Sequence, residues 1–208
     1  MINRYVTVEK DFAQASFTEK KSEFIGYAAR VESEEQAKSF IERIRREHSD
    51  ATHNCYAYLL KDSGLSRFSD DGEPGGTAGM PMLEVIKREG VCDVCIVVTR
   101  YFGGILLGAG GLVRAYSGAA RLAVEAAEFV SVSRCVDICV HIDYPLYERV
   151  ARLASDCGAK TLDTRFTHEV EIDLRMLDGT QQPLLDALRE LTRGACTPAV
   201  TDPFDAVF

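Results

Sequence analysis

The chain has 208 residues, 46% hydrophobic and 27% charged, a balance that fits a soluble globular protein able to bury a core without metal or disulfide staples. That length suits one large domain or two small ones of roughly 100 residues each. A net charge of −8, from 24 Lys and Arg against 32 Asp and Glu, excludes a broad basic coat for nucleic acid, which needs a clustered excess of cations to neutralise phosphates.

Along the chain, the first twelve residues, MINRYVTVEKDF, lack the apolar core of a signal peptide. SEFIGYAARV (22–31) reads as a strand. Ser33 followed by Gln36 is a capping-box start to a helix whose apolar stripe is Phe40, Ile41 and Ile44. A second strand runs from Asn54 to Leu60, and the polar loop after it centres on Ser69-Asp70-Asp71-Gly72-Glu73-Pro74-Gly75-Gly76. Thr77 is placed to cap the next helix, which carries Met82, Leu83, Val85 and Ile86 and stops at Gly90. VCDVCIVVTRY (91–101) is long and β-branched enough for a buried strand. A glycine-rich segment, 103–111, leads into an Ala- and Leu-rich helix over 112–128.

A second unit opens near Val132. Its expected elements are a strand (136–143), a helix (144–158), two alternating strands (161–168 and 170–177), a helix (183–194) and a last strand in PAVTDPFDAVF. That βαββαβ order is a ferredoxin-like sandwich. The fold class is therefore α+β, with domains at 1–131 and 132–208 and no long linker. Divided after Ser133, the first part holds 16 basic and 19 acidic residues (net −3) and the rest 8 and 13 (net −5). Neither is a basic module, so an anionic partner would need a local basic patch.

Seven cysteines, an odd set spread through apolar stretches, point to reduced thiols and a cytoplasmic protein. No apolar run reaches the roughly 20 residues that cross a bilayer. Cys92-x-x-Cys95 lies in a β-rich run where residues three apart face opposite ways, so it reads as core filling, and Cys135 and Cys139 share one strand face. His53 with Cys55 suggests a nucleophile and base, but the two are two residues apart with no third orienting group, and a structural histidine fits better. The carboxylates of Asp70, Asp71 and Glu73 lack EF-hand spacing and read as an exposed acidic turn capping the helix near Thr77. No metal and no cofactor are assigned. The glycine-rich segment matches neither GxxxxGK[ST] nor GxGxxG. It is open to two readings, a tight packing turn or a cradle for a phosphate between Arg100 and Arg114.

Three segments carry a more specific signal. Thr52 and His53 lie in Ala51–Tyr58, and Asp70, Asp71, Gly72, Glu73 and Thr77 in Ser69–Pro81. Arg100, Tyr101, Gly103, Gly104, Gly108, Gly110, Gly111, Arg114 and Tyr116 lie in Val98–Tyr116. With Lys20-Lys21-Ser22-Glu23-Phe24-Ile25, these resemble the signature of the YigZ/IMPACT family over about residues 17–128, except that Leu107 stands where some members carry Lys. The resemblance implies a first domain like the second domain of a small-subunit ribosomal protein and a second like domain five of elongation factor G. It also implies a link to translational control, which eukaryotic members exert by competing for an activator of a stress-responsive kinase. It brings no catalytic residues. The leading expectation is a translation-associated binding protein that contacts protein, ribosome or structured RNA through these motif residues. The alternative is a small enzyme holding a nucleotide or phosphorylated metabolite at the glycine loop.

Overall fold

Long apolar runs such as Val94–Val98 fit strands that are covered on both faces, and a computed structural model describing residues 4–208 shows that arrangement. Residues 1–3, the start of the stretch read as lacking a signal-peptide core, lie outside the described residues. The chain divides into one unit of residues 5–130 and another of residue 4 with 131–208.

From residue 4 to residue 126 the elements are β1 (Arg4–Val8), β2 (Ala13–Glu19), β3 (Ser22–Arg30), α1 (Glu34–Glu47), β4 (His53–Leu59), β5 (Ser66–Ser69), α2 (Gly79–Glu89), β6 (Val94–Tyr101) and α3 (Ala109–Ala126). Five strands form one antiparallel sheet in the order β2-β3-β6-β4-β5. One face, through Phe24, Ala28, Ala57, Ile96 and Val98, packs on α2 and α3. The other, through Ile25, Tyr27, Tyr58 and Val97, packs on Phe40, Ile41 and Ile44 of α1. Helices on both faces leave no wet side to β6, which explains its unbroken apolar run.

The α1 start follows its sequence signal. Ser33 Oγ accepts from Gln36 N at 3.2 Å, and Gln36 Oε1 accepts from Glu32 N at 2.7 Å. The expected start of α2 does not. Thr77 Oγ1 donates to Pro74 O at 2.6 Å and caps nothing. Asp70 takes that role from eight residues upstream: its Oδ1 accepts from Ala78 N and Gly79 N, and its Oδ2 from Gly76 N. The α3 helix begins at Ala109 rather than near 112, so Gly110 and Gly111 belong to its first turn.

The second unit contains β7 (Phe129–Ile142), α4 (Tyr147–Asp156), β8 (Lys160–Phe166), β9 (Val170–Leu177), α5 (Gln182–Leu191), β10 (Ala199–Val200) and β11 (Phe204–Val207). Pro145 sits in a short 3-10 turn, Tyr144–Leu146, ahead of α4. The six-stranded sheet has the order β1-β7-β9-β8, with β10 and β11 also pairing β7, and β8–β9, β9–β7, β7–β10 and β7–β11 are antiparallel. Val136, Ile138, Val140 and Ile142 alternate inward from β7 to meet Ile172, Leu174, Val150 and Leu184. The α+β class and the strand–helix–strand–strand–helix–strand order read from the sequence are both present.

Candidate functional site

β6 runs between β3 and β4, and this register puts Phe24, Arg100 and His53 side by side at one end of the sheet. The three motif segments converge on that end. Arg100 Nη1 lies 2.5 Å from Glu73 Oε1, and both side chains are buried, at 5% and 4% exposure. Tyr116, fully buried on α3, donates its hydroxyl to the same Glu73 oxygen at 2.7 Å. His53 Nε2 is 3.9 Å from it. One carboxylate from the acidic loop therefore gathers a strand arginine, a helix tyrosine and a second strand's histidine.

The loop holding Glu73 is itself tied down. Asp71 Oδ2 accepts from Asn54 N at 2.7 Å, its Oδ1 meets Arg45 Nη2 at 3.1 Å, and its backbone takes a φ of 45°. Asp71 O lies 2.7 Å from His53 Nδ1. A carbonyl only accepts, so Nδ1 carries the proton and Nε2 turns toward Glu73. The acidic segment was expected to be an exposed turn capping the helix near Thr77, and Asp70 does cap that helix, but the exposure differs. Glu73 is buried, Asp70 and Asp71 are half-buried, and Gly72 lies at the surface.

Arg100 also departs from expectation. It was placed on an anion-contacting surface, yet it is 4% exposed and committed to Glu73. Its guanidinium stacks on Phe24 and Phe102, 5.4 Å from each ring centroid, and its Nη2 reaches Ser22 Oγ at 3.4 Å. An arginine so held has no free fork for a phosphate. Thr52 N donates to Arg100 O at 2.9 Å, and Thr52 Oγ1 accepts from Phe102 N at 3.0 Å. Tyr101 points the other way, into a chain in which its hydroxyl meets His48 Nδ1 at 2.8 Å and Asp50 Oδ1 at 3.1 Å. On the far side of His48, Nε2 lies 2.5 Å from the Tyr27 hydroxyl.

Burial holds the Tyr116 phenol protonated, far above its ordinary range, with Cys55 and Glu73 adding to the effect. Burial also raises the Cys55 thiol, which donates to Asp70 O at 3.0 Å, so it is not a nucleophile at neutral pH.

The glycine segment splits between the buried cluster and the surface. Gly103 N donates to Ser22 Oγ at 3.2 Å, and Gly104 and Gly108 take φ of 81° and 73°. Before and between them the chain exposes Phe102 (45%), Ile105 (42%) and Leu106 (82%). Arg114 is exposed, on the rim of a groove of about 340 Å³ with Lys20 and Arg121. Phe17, Leu107 and Leu122 supply its apolar lining, and Glu19 is the acidic neighbour.

Ser22, Asn54 and Thr99 belong to the cluster although none was singled out beforehand. Thr99 Oγ1 donates to Asn54 Oδ1 at 2.7 Å, in full burial. All three lie inside the motif segments, but no local spacing says that their side chains turn inward.

Residues 20–124 match the Impact N-terminal domain, and residues 140–195 match a domain of unknown function, DUF1949. IMPACT family member YvyE of Bacillus subtilis is 50% identical over 117 residues, 56% of this chain and about half (54%) of that relative. IMPACT family member YigZ of Escherichia coli is 39% identical over 150 residues, 71% of this chain and 74% of its own. A solved structure described as a hypothetical protein is 31% identical, with a TM-score of 0.62 over 97% of this chain and 99% of that one.

Proposed function

This chain belongs to the IMPACT family, and on that premise we propose that it is a cytoplasmic, translation-associated regulatory binding protein. It meets a protein, ribosome or structured-RNA partner with the exposed shelf beside its buried Glu73 cluster. The observation that carries this reading is the division of labour at the end of the first sheet. The polar motif side chains are spent on one another in the interior, while the residues next to them in sequence are left exposed.

Those exposed residues have the make-up of a contact surface. Large apolar side chains (Phe102, Ile105 and Leu106) are exposed just ahead of Leu107, which lines the groove with the cations Lys20, Arg114 and Arg121. Apolar patches rimmed by charge mark interaction sites, and arginine and aromatic anchors are the usual energetic centres of interfaces. Phe102 links shelf to cluster, since its ring stacks on Arg100 while its amide is held by Thr52. The buried network therefore keeps the shelf rigid before binding, which lowers the ordering cost of association. The enzyme alternative at the glycine loop loses one of its two arginines, because Arg100 is committed to Glu73. No helix among the described residues is long and apolar enough to cross a membrane.

Co-sedimentation with ribosomal particles at low and moderate salt tests the reading, comparing the intact chain with Arg114→Ala/Arg121→Ala. Salt-sensitive co-sedimentation that the double variant loses supports a partner carrying phosphate and places it on the shelf. A salt-insensitive association removes RNA. Retention of both proteins at the top of the gradient removes the ribosome and leaves a soluble protein partner.

A further inference from the structure

On β7 and β9 of the second unit, alternate side chains point away from the helices. Val140 and Ile172 go inward, while Cys139, His141 and Glu171 line the opposite face. The register sets His141 opposite Glu171 and Cys139 opposite Asp173. This brings a thiol, an imidazole and a carboxylate together without any help from loops. Cys139 Sγ lies 3.4 Å from His141 Nε2 and 3.6 Å from Glu171 Oε1, and the three donor atoms all fall within 4.8 Å of one another.

We propose that Cys139, His141 and Glu171 form a binding site for a thiophilic divalent cation of the zinc type. The two distances from sulfur are those that tetrahedral coordination requires. With zinc–sulfur, zinc–nitrogen and zinc–oxygen bonds of about 2.3, 2.0 and 2.1 Å, sulfur stands about 3.5–3.6 Å from each of the other two donors. A cation can therefore enter with little movement of sulfur relative to either neighbour. Mixed sulfur, nitrogen and oxygen donors select zinc-like ions over magnesium and calcium, which take oxygen only.

The histidine is oriented for this role. Its Nδ1 is 2.9 Å from Glu169 Oε1. A carboxylate accepting from Nδ1–H fixes the tautomer and leaves the Nε2 lone pair directed at the site, the outer arrangement found behind metal-bound histidines. Arg165 bridges Glu171 and Asp173. When a cation takes Glu171, the arginine retains Asp173, 2.8 Å away, so no charge is stranded. Three protein ligands leave a fourth position for water.

Cobalt(II) titration of the reduced 208-residue chain reads the site directly, because a bound thiolate gives a near-ultraviolet thiolate-to-cobalt absorption. The expected result is one equivalent bound, with the absorption removed by competing zinc. Cys139→Ser abolishes it, His141→Gln weakens binding by at least about tenfold, and Cys92→Ser leaves it unchanged. Circular dichroism and thermal melts matching the parent chain establish that the variants are folded. Absence of the absorption in the parent chain overturns the proposal, and so does its survival in folded Cys139→Ser, which would assign the cobalt to another thiol.

Discussion

Glu73 and Arg100 stand 27 residues apart in sequence, and their side chains meet at 2.5 Å in the interior. The carboxylate comes from a loop and the guanidinium from the central strand of the sheet, so the pair ties the least regular part of the first unit to its most regular part. A buried pair of this kind contributes little over a well-packed apolar replacement, but removing one partner leaves an uncompensated charge.

Glu73→Gln should accordingly lower unfolding free energy by about 3–5 kcal/mol, since Tyr116 and Arg100 both lose their anionic acceptor. Arg100→Met alone should also be destabilising. The double variant should lose less than the sum of the two, because it buries no lone charge. Urea melts of the four proteins measure the coupling, and strict additivity would show that the two residues do not act as a pair.

Asp70→Ala should cost about 1–2 kcal/mol, the range for a lost helix cap. Its carboxylate serves the amides of Gly76, Ala78 and Gly79 at the start of α2. Thr77→Val should cost less, about 1 kcal/mol or below. Its hydroxyl reaches only Pro74 O, which still accepts from Thr77 N. Thermal melts rank the two, and the reverse order would return the capping role to Thr77.

This pair also shows where reading from the sequence stops. The rule for helix starts examines the residue beside the first helical position and so selects Thr77, whereas the cap is Asp70, from the acidic turn that was also read as capping this helix but without saying which carboxylate does so. Arg100 was placed at the surface because it flanks the glycine-rich segment opposite Arg114, and its partner Glu73 is too distant in sequence to announce itself. β2 and β5 were not foreseen either. Both are edge strands of AQASFTE and SRFS, with small polar residues that carry little β signal. Elements that bury a clean apolar period were legible: β9 alternates over 170–177 as expected, and α1 shows both its cap and its stripe. The convergence of the three motif segments follows from the pairing of β3, β6 and β4, which no single segment displays. The division between buried cluster and exposed shelf is a tertiary property with no local signature.

Gly103 and Gly110, both read as parts of one glycine-rich loop, should respond in opposite ways to alanine. A Cβ on Gly103 would meet the Lys21 carbonyl carbon and oxygen at 2.0 Å, and backbone atoms cannot yield as a flexible side chain can. Gly103→Ala should therefore separate β3 from the glycine segment and weaken partner binding along with stability. At Gly110 the nearest atom is the mobile tip of Arg114 at 3.6 Å. As the residue lies in the first turn of α3, alanine there should stabilise by about 0.4–1 kcal/mol. Differential scanning calorimetry of the two variants tests the contrast.

High pH should unfold the first unit through its buried phenols. Burial, with Glu47 adding, pushes Tyr27 up to about 12, and burial with Glu34 does the same for Tyr58, against an ordinary value of 10.0. A group whose folded pKa is raised contributes stability fully below its unfolded pKa. The contribution is lost as pH climbs from there to the folded value, because the unfolded chain releases its proton first. Stability should thus decline from about pH 10 toward pH 12, over and above any change seen at neutral pH. Tyr27→Phe removes one ionising phenol, along with its 2.5 Å contact to His48, so it should lower stability at pH 7 yet flatten the alkaline decline. Urea melts at pH 8, 10 and 11 measure both effects, and an unchanged slope in the variant would show that Tyr27 ionises no later in the fold than in the unfolded chain.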